Sequence, residues 1–298
     1  MAGVDTLTVD VGDAALGARS WPGTGRPVLA VHGLASNARL WDETAAVLSA
    51  AGHAVVALDL RGHGSSAAVP DTDLDPTTQA VRDLAAACAS LGWDSPVVAG
   101  QSWGGNVVLQ LAAEHPDLVH GLALVDGGWL VLADRWTSLE QAWTVLEPPR
   151  FDGLTAGGLT ARLRAAHPEW SGAAIAATAG NLQVREDGTV APWLDRERHR
   201  RIVGSLLDQR PRELYPRVSC QAVLLVAGAS NPAADEAAAA MANARVVTFP
   251  DGDHDRHAHA IGQLCRDDAG QQVVAAARGK RRDQSDRSVW VSLCPDLA

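Results

Sequence analysis

The amino-acid sequence predicts an α/β fold, with a mostly parallel central sheet, helices on both faces and an inserted helical segment. Short, continuous apolar runs alternate with longer helical patterns, which is typical of strand–helix units in a parallel sheet. The alternation stops after residue 126 and resumes near residue 216. The stretch between these points is rich in tryptophan and shows helical patterns but no convincing strand, so we expect it to be helical.

The strands and helices are predicted from apolar patterning and from residues that begin or end helices. The first two strands alternate enough to form an antiparallel pair, whereas the later ones are continuously apolar and therefore buried on both faces. Gly52, Gly92 and Pro116 end the first three helices, and Ser36 or Asn37 caps the first. The predicted strands are 7–11, 16–21, 27–31, 54–58, 96–99, 119–125, 222–227 and 245–249, and the predicted helices are 39–51, 77–91, 103–114, 233–242 and 258–277.

Length and composition favour one large domain with a substantial core. The chain has 298 residues, of which 47% are hydrophobic. We expect residues 1–126 and 216–277 to form the core domain, 127–215 a helical cap, and 278–298 a solvated tail. The net charge of −10 argues against nucleic acid as the main partner. No apolar run approaches the roughly 18 residues of a membrane span, and no signal peptide is visible, so we expect a cytoplasmic protein without a membrane partner.

The cysteines argue against a metal centre. The four cysteines lie far apart and form no CxxC pair, which is the pattern of a reduced intracellular protein. No cofactor is implied by any motif. The expected partner is a small-molecule substrate, and the protein is expected to be a monomer or a homodimer.

The strongest motif is Gly100-Gln101-Ser102-Trp103-Gly104, which places a serine between a predicted strand and a predicted helix. A G-x-S-x-G match alone is weak, but in this strand–helix context it is the nucleophile elbow, in which a strained turn pushes the serine hydroxyl out above the sheet. The helix that begins at Trp103 points its N-terminal amides at the same spot. Ser102 is therefore predicted to be a nucleophile that attacks a carbonyl group.

A serine nucleophile needs donors for the oxyanion and a general base. The turn after the third strand could aim the amide of Leu34 at the oxyanion, with the Trp103 amide as the second donor. His254 lies in the loop after the last strand and is the leading candidate for the base, ahead of His257 and His259. Two other histidines, His32 and His63, are predicted to form structural hydrogen bonds.

Five segments resemble the α/β-hydrolase superfamily in order and spacing, over about residues 5–277: HGLAS (32–36), DLRGHGSS (59–66), GQSWGG (100–105), LVDGG (124–128) and GDHDRH (252–257). This resemblance implies the α/β-hydrolase fold, with Ser102 as nucleophile, His254 as base, and Leu34 and Trp103 as the oxyanion amides. It also implies that the segment 127–215 is a helical cap over the site, inserted after the sixth strand.

The chain departs from the family at the third member of the triad. The family usually carries an acid a few residues beyond the seventh strand, where this sequence has Asn231. Asp126, at the end of the sixth strand, stands where some members of the family carry the acid, and we predict that it orients His254. Asn231 and Asp235 remain alternatives.

Three functions are compatible with these residues. The leading one is hydrolysis of a carboxylic ester, thioester or lactone of a small apolar molecule. The second is hydrolysis of a carbon–carbon bond, or a cyclase or lyase step. The third is ligand binding by a protein that keeps the fold but has lost catalytic activity. We expect Gln101, Trp129 and Trp136 to contact the substrate.

Overall fold

The structure, a computed structural model, describes residues 3–250. Its strands in chain order are β1 (Asp5–Asp10), β2 (Ala15–Trp21), β3 (Gly25–Val31), β4 (His53–Leu58), β5 (Val97–Gln101), β6 (Gly121–Val125), β7 (Leu182–Val184), β8 (Val190–Pro192), β9 (Gln221–Ala227) and β10 (Ala244–Phe249). Eight of these strands form one sheet in the order β1-β2-β4-β3-β5-β6-β9-β10, and the other two form a separate pair, β7-β8.

The sheet is antiparallel at one edge and parallel elsewhere, as the sequence predicts. β1 pairs with β2 and β2 with β4 in antiparallel register, and all the other neighbours in the sheet run parallel. The carboxyl ends of parallel strands meet at one edge of a sheet. The ends of β3, β5 and β6, which are neighbours, therefore lie side by side.

The helices cover both faces of the main sheet. Within the described part of the chain they are α1 (Asp42–Ala50), α2 (Pro76–Ser90), α3 (Trp103–Glu114), α4 (Leu139–Leu146), α5 (Ala156–Ala166), α6 (Gly172–Ala179), α7 (Arg196–Asp208), α8 (Pro211–Leu214) and α9 (Pro232–Ala240). Alternate residues of β3 enter opposite cores: Leu29 and Val31 pack in one, and Val28 and Ala30 in the other. Burial on both faces explains why the sequence of this strand is continuously apolar.

Residues 127–215, which we call the inserted segment, connect two strands that are neighbours in the sheet. The segment contains α4 to α8 and also the hairpin β7-β8, so the expectation of no strand in this stretch was wrong. Residues 186–188 form the turn of that hairpin. Gly188 adopts a φ of 77°, a conformation that side chains disfavour, and the Asp187 carboxylate accepts a hydrogen bond from the Thr189 amide at 2.9 Å.

Two arginines of α7 fasten the inserted segment to the loop before α2. The Arg198 guanidinium donates to the carbonyl oxygens of Ala67 and Val69 at 2.9 and 3.2 Å. Arg201 Nη1 pairs with the Asp71 carboxylate at 2.8 Å. Because backbone carbonyls and a carboxylate are bound together, α7 is held more firmly than a single surface ion pair would hold it.

Some predictions lie outside the described residues: the last helix (258–277), the tail (278–298) and the candidate bases His254, His257 and His259. Within residues 3–250, no helix combines the length and the hydropathy needed to cross a bilayer.

Candidate active site

Ser102 occupies the sharp turn between β5 and α3, as the G-x-S-x-G motif predicts. Its backbone adopts φ 53° and ψ −121°, which is strained for a residue with a side chain. The turn closes only because glycines flank it. A Cβ atom at Gly100 would lie 2.7 Å from Val108 Cγ2, and one at Gly104 would lie 2.7 Å from the Val31 carbonyl oxygen. The half-buried serine is thereby presented at the carboxyl edge of the sheet.

Backbone strain is concentrated at this edge. Among residues 3–250, the non-glycine residues with positive φ are Ala35, Ser102 and Asp126, at 57°, 53° and 44°. They follow the neighbouring strands β3, β5 and β6, and the Ser102 amide donates to the Val125 carbonyl at 2.9 Å. Strained residues of this kind cluster at functional sites, so the edge is the leading candidate for an active site.

The turn after β3 lies directly against the serine. A Cβ atom at Gly33 would lie 3.0 Å from Ser102 Cβ, so only glycine allows this approach. The Ala35 amide is bound by His63 Nε2 at 3.2 Å. The amides of Leu34 and Trp103, by contrast, form no hydrogen bond within the described part of the chain. Both amides therefore lack an acceptor among residues 3–250, and their role as oxyanion donors stays a prediction.

The two buried histidines support this turn as neutral rings, which agrees with their predicted structural role. His63 Nδ1 donates to the Arg61 carbonyl at 2.9 Å while its Nε2 accepts from Ala35. His32 Nδ1 donates to the Gly33 carbonyl at 2.7 Å, and its Nε2 accepts from the Leu60 amide at 3.1 Å. Since an amide can only donate, each Nε2 must be unprotonated.

Burial reinforces this neutral state. It lowers the pKa of the His63 ring well below the ordinary value of 6.5, with a further lowering from the nearby His32. The pKa of His32 is also lowered by burial, against an opposing effect of the Asp59 carboxylate. Neither ring is therefore suited to act as the base, since both of its nitrogens are already engaged.

The three candidates for the orienting acid differ in how their side chains are placed. Asn231 caps α9, where its Oδ1 accepts from the amides of Ala233 and Ala234 at 3.1 and 3.4 Å. Asp235 is exposed on the first turn of the same helix. Asp126 is half-buried beside the elbow, and its role as the orienting acid stays a prediction.

Contacts on both sides of Asp126 connect it to the serine and to the last strand. A Cβ atom at Gly127 would lie 2.7 Å from Ser102 Cα, so the residue after Asp126 touches the elbow. Asp126 Oδ1 accepts a long hydrogen bond, 3.4 Å, from the Ala227 amide. In the sheet, Phe249 of β10 lies opposite Ala227. Phe249, the last residue of β10, therefore lies at the same edge of the sheet.

A cleft of about 270 Å³ opens beside Ser102, between the sheet edge and the inserted segment. Its sheet side includes the predicted residues Leu34 and Gln101. The inserted segment contributes an apolar and aromatic wall, in which the rings of His167 and Trp170 stack with centroids 3.8 Å apart. The cleft is lined by Leu34, Ala35, Ser36, Leu40, Gln101, Ser102, Leu163, His167, Trp170, Thr178 and Asn181.

The structure places the other two predicted substrate-contacting residues elsewhere. Trp129 is 4% exposed and packs in the core next to α3. Trp136 is half-buried near the start of the inserted segment and is not among the residues that line the cleft beside Ser102. The sequence analysis did not predict Leu163, His167 and Trp170, which line the cleft. The sequence signal for two of them is the pair of aromatic rings three residues apart after a helical pattern.

The floor of the cleft is held by a buried asparagine. Asn37 is 3% exposed, and its Nδ2 donates to the Ala177 carbonyl at 2.9 Å and to the Asn181 side chain. Its Oδ1 accepts from the Arg39 amide at 2.9 Å. One side chain thus ties the loop after β3 to the end of α6. Within residues 3–250, no three potential metal ligands lie together.

Comparison with known proteins points to one family. The sequence profile of the α/β-hydrolase fold matches residues 26–257. Esterase Rv0045c of Mycobacterium tuberculosis is 38% identical over 112 residues, which are 38% of this chain and 36% of that protein. Lipase LipV of the same organism is 37% identical over 99 residues, 33% of this chain and 36% of that protein. The match thus spans little more than a third of the length of these curated relatives.

Solved structures agree over most of the chain. The crystal structure of E-2-(acetamidomethylene)succinate hydrolase superposes with a TM-score of 0.70 at 21% identity, covering 89% of this chain and 98% of that one. A thioesterase domain from the curacin biosynthetic pathway gives a TM-score of 0.66 at 22% identity, covering 88% and 99%. At this identity the likeness concerns the fold alone. Together with the family profile, it confirms the predicted fold: the chain belongs to the α/β-hydrolase family.

Proposed function

We propose that the protein is a serine hydrolase that cleaves a carboxylic ester, thioester or lactone of a small apolar molecule through an acyl-enzyme. The observation that carries this proposal is the strained Ser102, which lines a cleft beside the amides of Leu34 and Trp103. The names of the curated relatives, an esterase and a lipase, support a hydrolase function.

In the proposed reaction, Ser102 Oγ attacks the substrate carbonyl carbon while His254 accepts the hydroxyl proton. The carbonyl oxygen becomes an oxyanion that accepts hydrogen bonds from the Leu34 and Trp103 amides. Collapse of this intermediate breaks the bond to the leaving group, which takes the proton from His254. Water then attacks the acyl-enzyme by the same sequence of steps and releases the acid.

Asp126 is proposed to accept a hydrogen bond from the His254 ring and to stabilise its cationic form. Its place beside the elbow and beside β9 supports this role, since Asn231 already uses its oxygen to cap α9. A carboxylate in this position fixes the imidazole in the tautomer that can take the serine proton.

The cleft favours small substrates with an apolar part. Its volume of about 270 Å³ lies below the range of roughly 300–1,000 Å³ that is typical of sites for drug-sized ligands. Leu163 and the stacked His167 and Trp170 offer apolar and aromatic surface, whereas the polar side chains of Thr178 and Asn181 lie on the same cleft. We propose that the inserted segment acts as a cap that determines substrate size.

The first experiment is covalent labelling with a fluorophosphonate probe, followed by a screen of p-nitrophenyl esters and lactones of graded size. Ser102→Ala should abolish labelling and lower kcat by about 10³-fold or more while the protein stays folded. Hydrolysis retained at more than about 1% of the wild-type rate would reject Ser102 as the nucleophile. Absence of labelling in the wild type would instead favour a binding protein. A labelled protein that cleaves no ester or lactone would favour the carbon–carbon hydrolase or lyase reaction.

The role of the aromatic cleft wall in substrate preference is tested by substituting a matched pair of tryptophans. Trp170→Ala enlarges the cleft, so we expect the preference for large over small esters to rise by about tenfold, which corresponds to 1–2 kcal/mol of apolar contact. Trp136→Ala, in the same segment but off the cleft, should leave the ranking unchanged. Measurement of kcat/KM over a series of acyl chains distinguishes the two, and an unchanged ranking in Trp170→Ala would exclude this wall as the specificity element.

A further inference from the structure

We propose that Ser205 and Thr77 are positioning residues, which couple the placement of the inserted segment to the oxyanion amide of Trp103. The inference rests on the proposed function, since it concerns one of the two proposed oxyanion donors. Neither residue lines the cleft beside Ser102.

A directed chain of hydrogen bonds connects the indole of Trp103 to α7. Trp103 Nε1 donates to Thr77 Oγ1 at 3.1 Å, and Thr77 Oγ1 lies 2.5 Å from Ser205 Oγ. Ser205 Oγ donates to Asp75 Oδ1 at 2.9 Å. A carboxylate only accepts and an indole only donates, so the Thr77 hydroxyl must donate to Ser205. Every hydroxyl proton in the chain therefore points away from Trp103.

The chain is fixed at its far end by a helix cap. Asp75 is the N-cap of α2, and its Oδ1 also accepts from the Thr78 amide at 3.0 Å. Ser205 Oγ further accepts from the Thr77 amide at 3.2 Å. Trp103, Thr77 and Ser205 are 2%, 1% and 4% exposed, so water cannot easily replace a lost partner. Three elements (α2, α3 and α7) thus meet in one network, which is buried except at its last member, the exposed Asp75.

The Trp103 indole adds a side-chain anchor to the first turn of α3, which backbone bonds from Gly105 and Asn106 to the Ser102 carbonyl close. Ser102 stands at the N-cap position but makes no side-chain cap. Gly104 and Gly105 follow Trp103, and glycine weakens a helix because it gains most freedom on unfolding. The Trp103 side chain is therefore the first anchor of the helix after the nucleophile. If its ring shifts, the backbone amide of the same residue shifts with it.

Ser205 belongs to the face of α7 that is docked on the core. Arg198 and Arg201 lie seven and four residues before it, and both bind the loop that precedes α2. Displacement of α7 would break the bond between Ser205 and Thr77. The hydrogen bonds from Trp103 to Asp75 then no longer all run in one direction, since the Thr77 hydroxyl has lost its fixed acceptor. The proposed oxyanion donor is thus best placed only when the inserted segment is docked.

The test compares variants that differ by one hydroxyl group. Thr77→Val removes the hydroxyl at nearly constant volume, and Thr77→Ser keeps it. Ser205→Ala breaks the next link, and Ser138→Ala removes the cap of α4 in the same inserted segment, away from the chain. Removal of an oxyanion donor costs about 10²–10³-fold in kcat, so displacement of one should cost less, about tenfold.

We expect Thr77→Val and Ser205→Ala to lower kcat about tenfold with little change in KM, and to lower the affinity for a trifluoromethyl ketone in parallel. Thr77→Ser and Ser138→Ala should keep the wild-type kcat. In a Trp103→Phe background, which lacks the indole N–H, Thr77→Val should have no further effect. Equal kcat in all four single variants would overturn the proposal, as would an undiminished effect of Thr77→Val in the Trp103→Phe background.

The chain of hydrogen bonds from Trp103 to Ser205 is also tested without any substrate. The indole N–H resonance of Trp103, identified by its loss in Trp103→Phe, should exchange with solvent faster in Ser205→Ala than in Ser138→Ala. Unchanged exchange would overturn the proposal. A wild-type protein that neither reacts with the probe nor hydrolyses any ester would overturn the proposed function and the coupling together. An active wild type with unaffected variants would overturn the coupling alone.

Discussion

Acid should destabilise the fold through the buried His63. In the folded protein its ring is neutral, and burial holds its pKa well below the ordinary value of 6.5. The unfolded chain therefore binds a proton near pH 6.5 that the folded chain does not bind. The stability that depends on neutral His63 is fully present above about pH 6.5 and is lost as the pH falls below it.

The size of this stability loss follows from the difference in proton binding between the folded and the unfolded protein. Each pH unit below the unfolded pKa costs about 1.4 kcal/mol for as long as the folded ring stays neutral, so a His63 ring that stays neutral down to pH 5 accounts for about 2 kcal/mol between about pH 8 and pH 5. A domain of this size shifts its Tm by about 2–4 °C per kcal/mol, which gives a fall of about 4–8 °C from this one ring.

The measurement is the free energy of unfolding in urea as a function of pH, for the wild type and for His63→Gln. Glutamine does not titrate, and its side-chain oxygen can still accept from the Ala35 amide. The variant should lose less stability than the wild type on acidification, by about 2 kcal/mol. The matched control is His115→Gln, which removes an imidazole at an exposed position. Parallel curves for wild type and His63→Gln would show that the ring is not held neutral.

Two further predictions concern the elbow and the triad. Gly104→Ala should lower the unfolding free energy by about 2–4 kcal/mol, because its Cβ would lie 2.7 Å from a backbone oxygen, whereas Gly157→Ala, where nothing lies within 4 Å, should stabilise α5 by about 0.5–1 kcal/mol. Equal Tm changes in the two variants would contradict the packing argument. Asp126→Asn should lower kcat by about 10³-fold or more with little change in Tm, and Asn231→Ala should lower Tm through the lost cap but keep kcat. The reverse pattern of kcat would assign the orienting role to Asn231.

The strands that carry the site could be predicted because their residue patterns are compatible with few other local structures. A run such as Val97–Gln101 is apolar at nearly every position and is followed by a serine between glycines, so both the strand and the turn are specified locally. The hairpin β7-β8 could not be predicted in this way. Each of its strands has three residues, too few to show a period of two, and only the Gly188 turn is visible in the sequence.

The elbow and its oxyanion amides follow from motifs, but the cleft wall depends on tertiary packing. The sequence shows five tryptophans in the inserted segment without showing which one faces the serine. Trp129 comes first after β6, where the chain still runs beside α3, and is therefore buried in the core. Trp170 lies some forty residues later and reaches the cleft only because α5 and α6 return over the sheet edge.

The arginine contacts of α7 also determine which half of the inserted segment can yield when a ligand enters or leaves. α7 is bound to the loop before α2 by Arg198 and Arg201, so it should remain stationary. Within residues 3–250, the half that carries α5 and α6 is bound to the core by Asn37 and by the bond from Ser171 to Glu43 at 3.1 Å, neither of which involves an arginine. We expect passage of a molecule into the cleft to displace this half rather than α7. The rate of product release would then depend on how quickly the hydrogen bonds of Asn37 and Ser171 break. The chemical steps, by contrast, would take place while α7 stays in position.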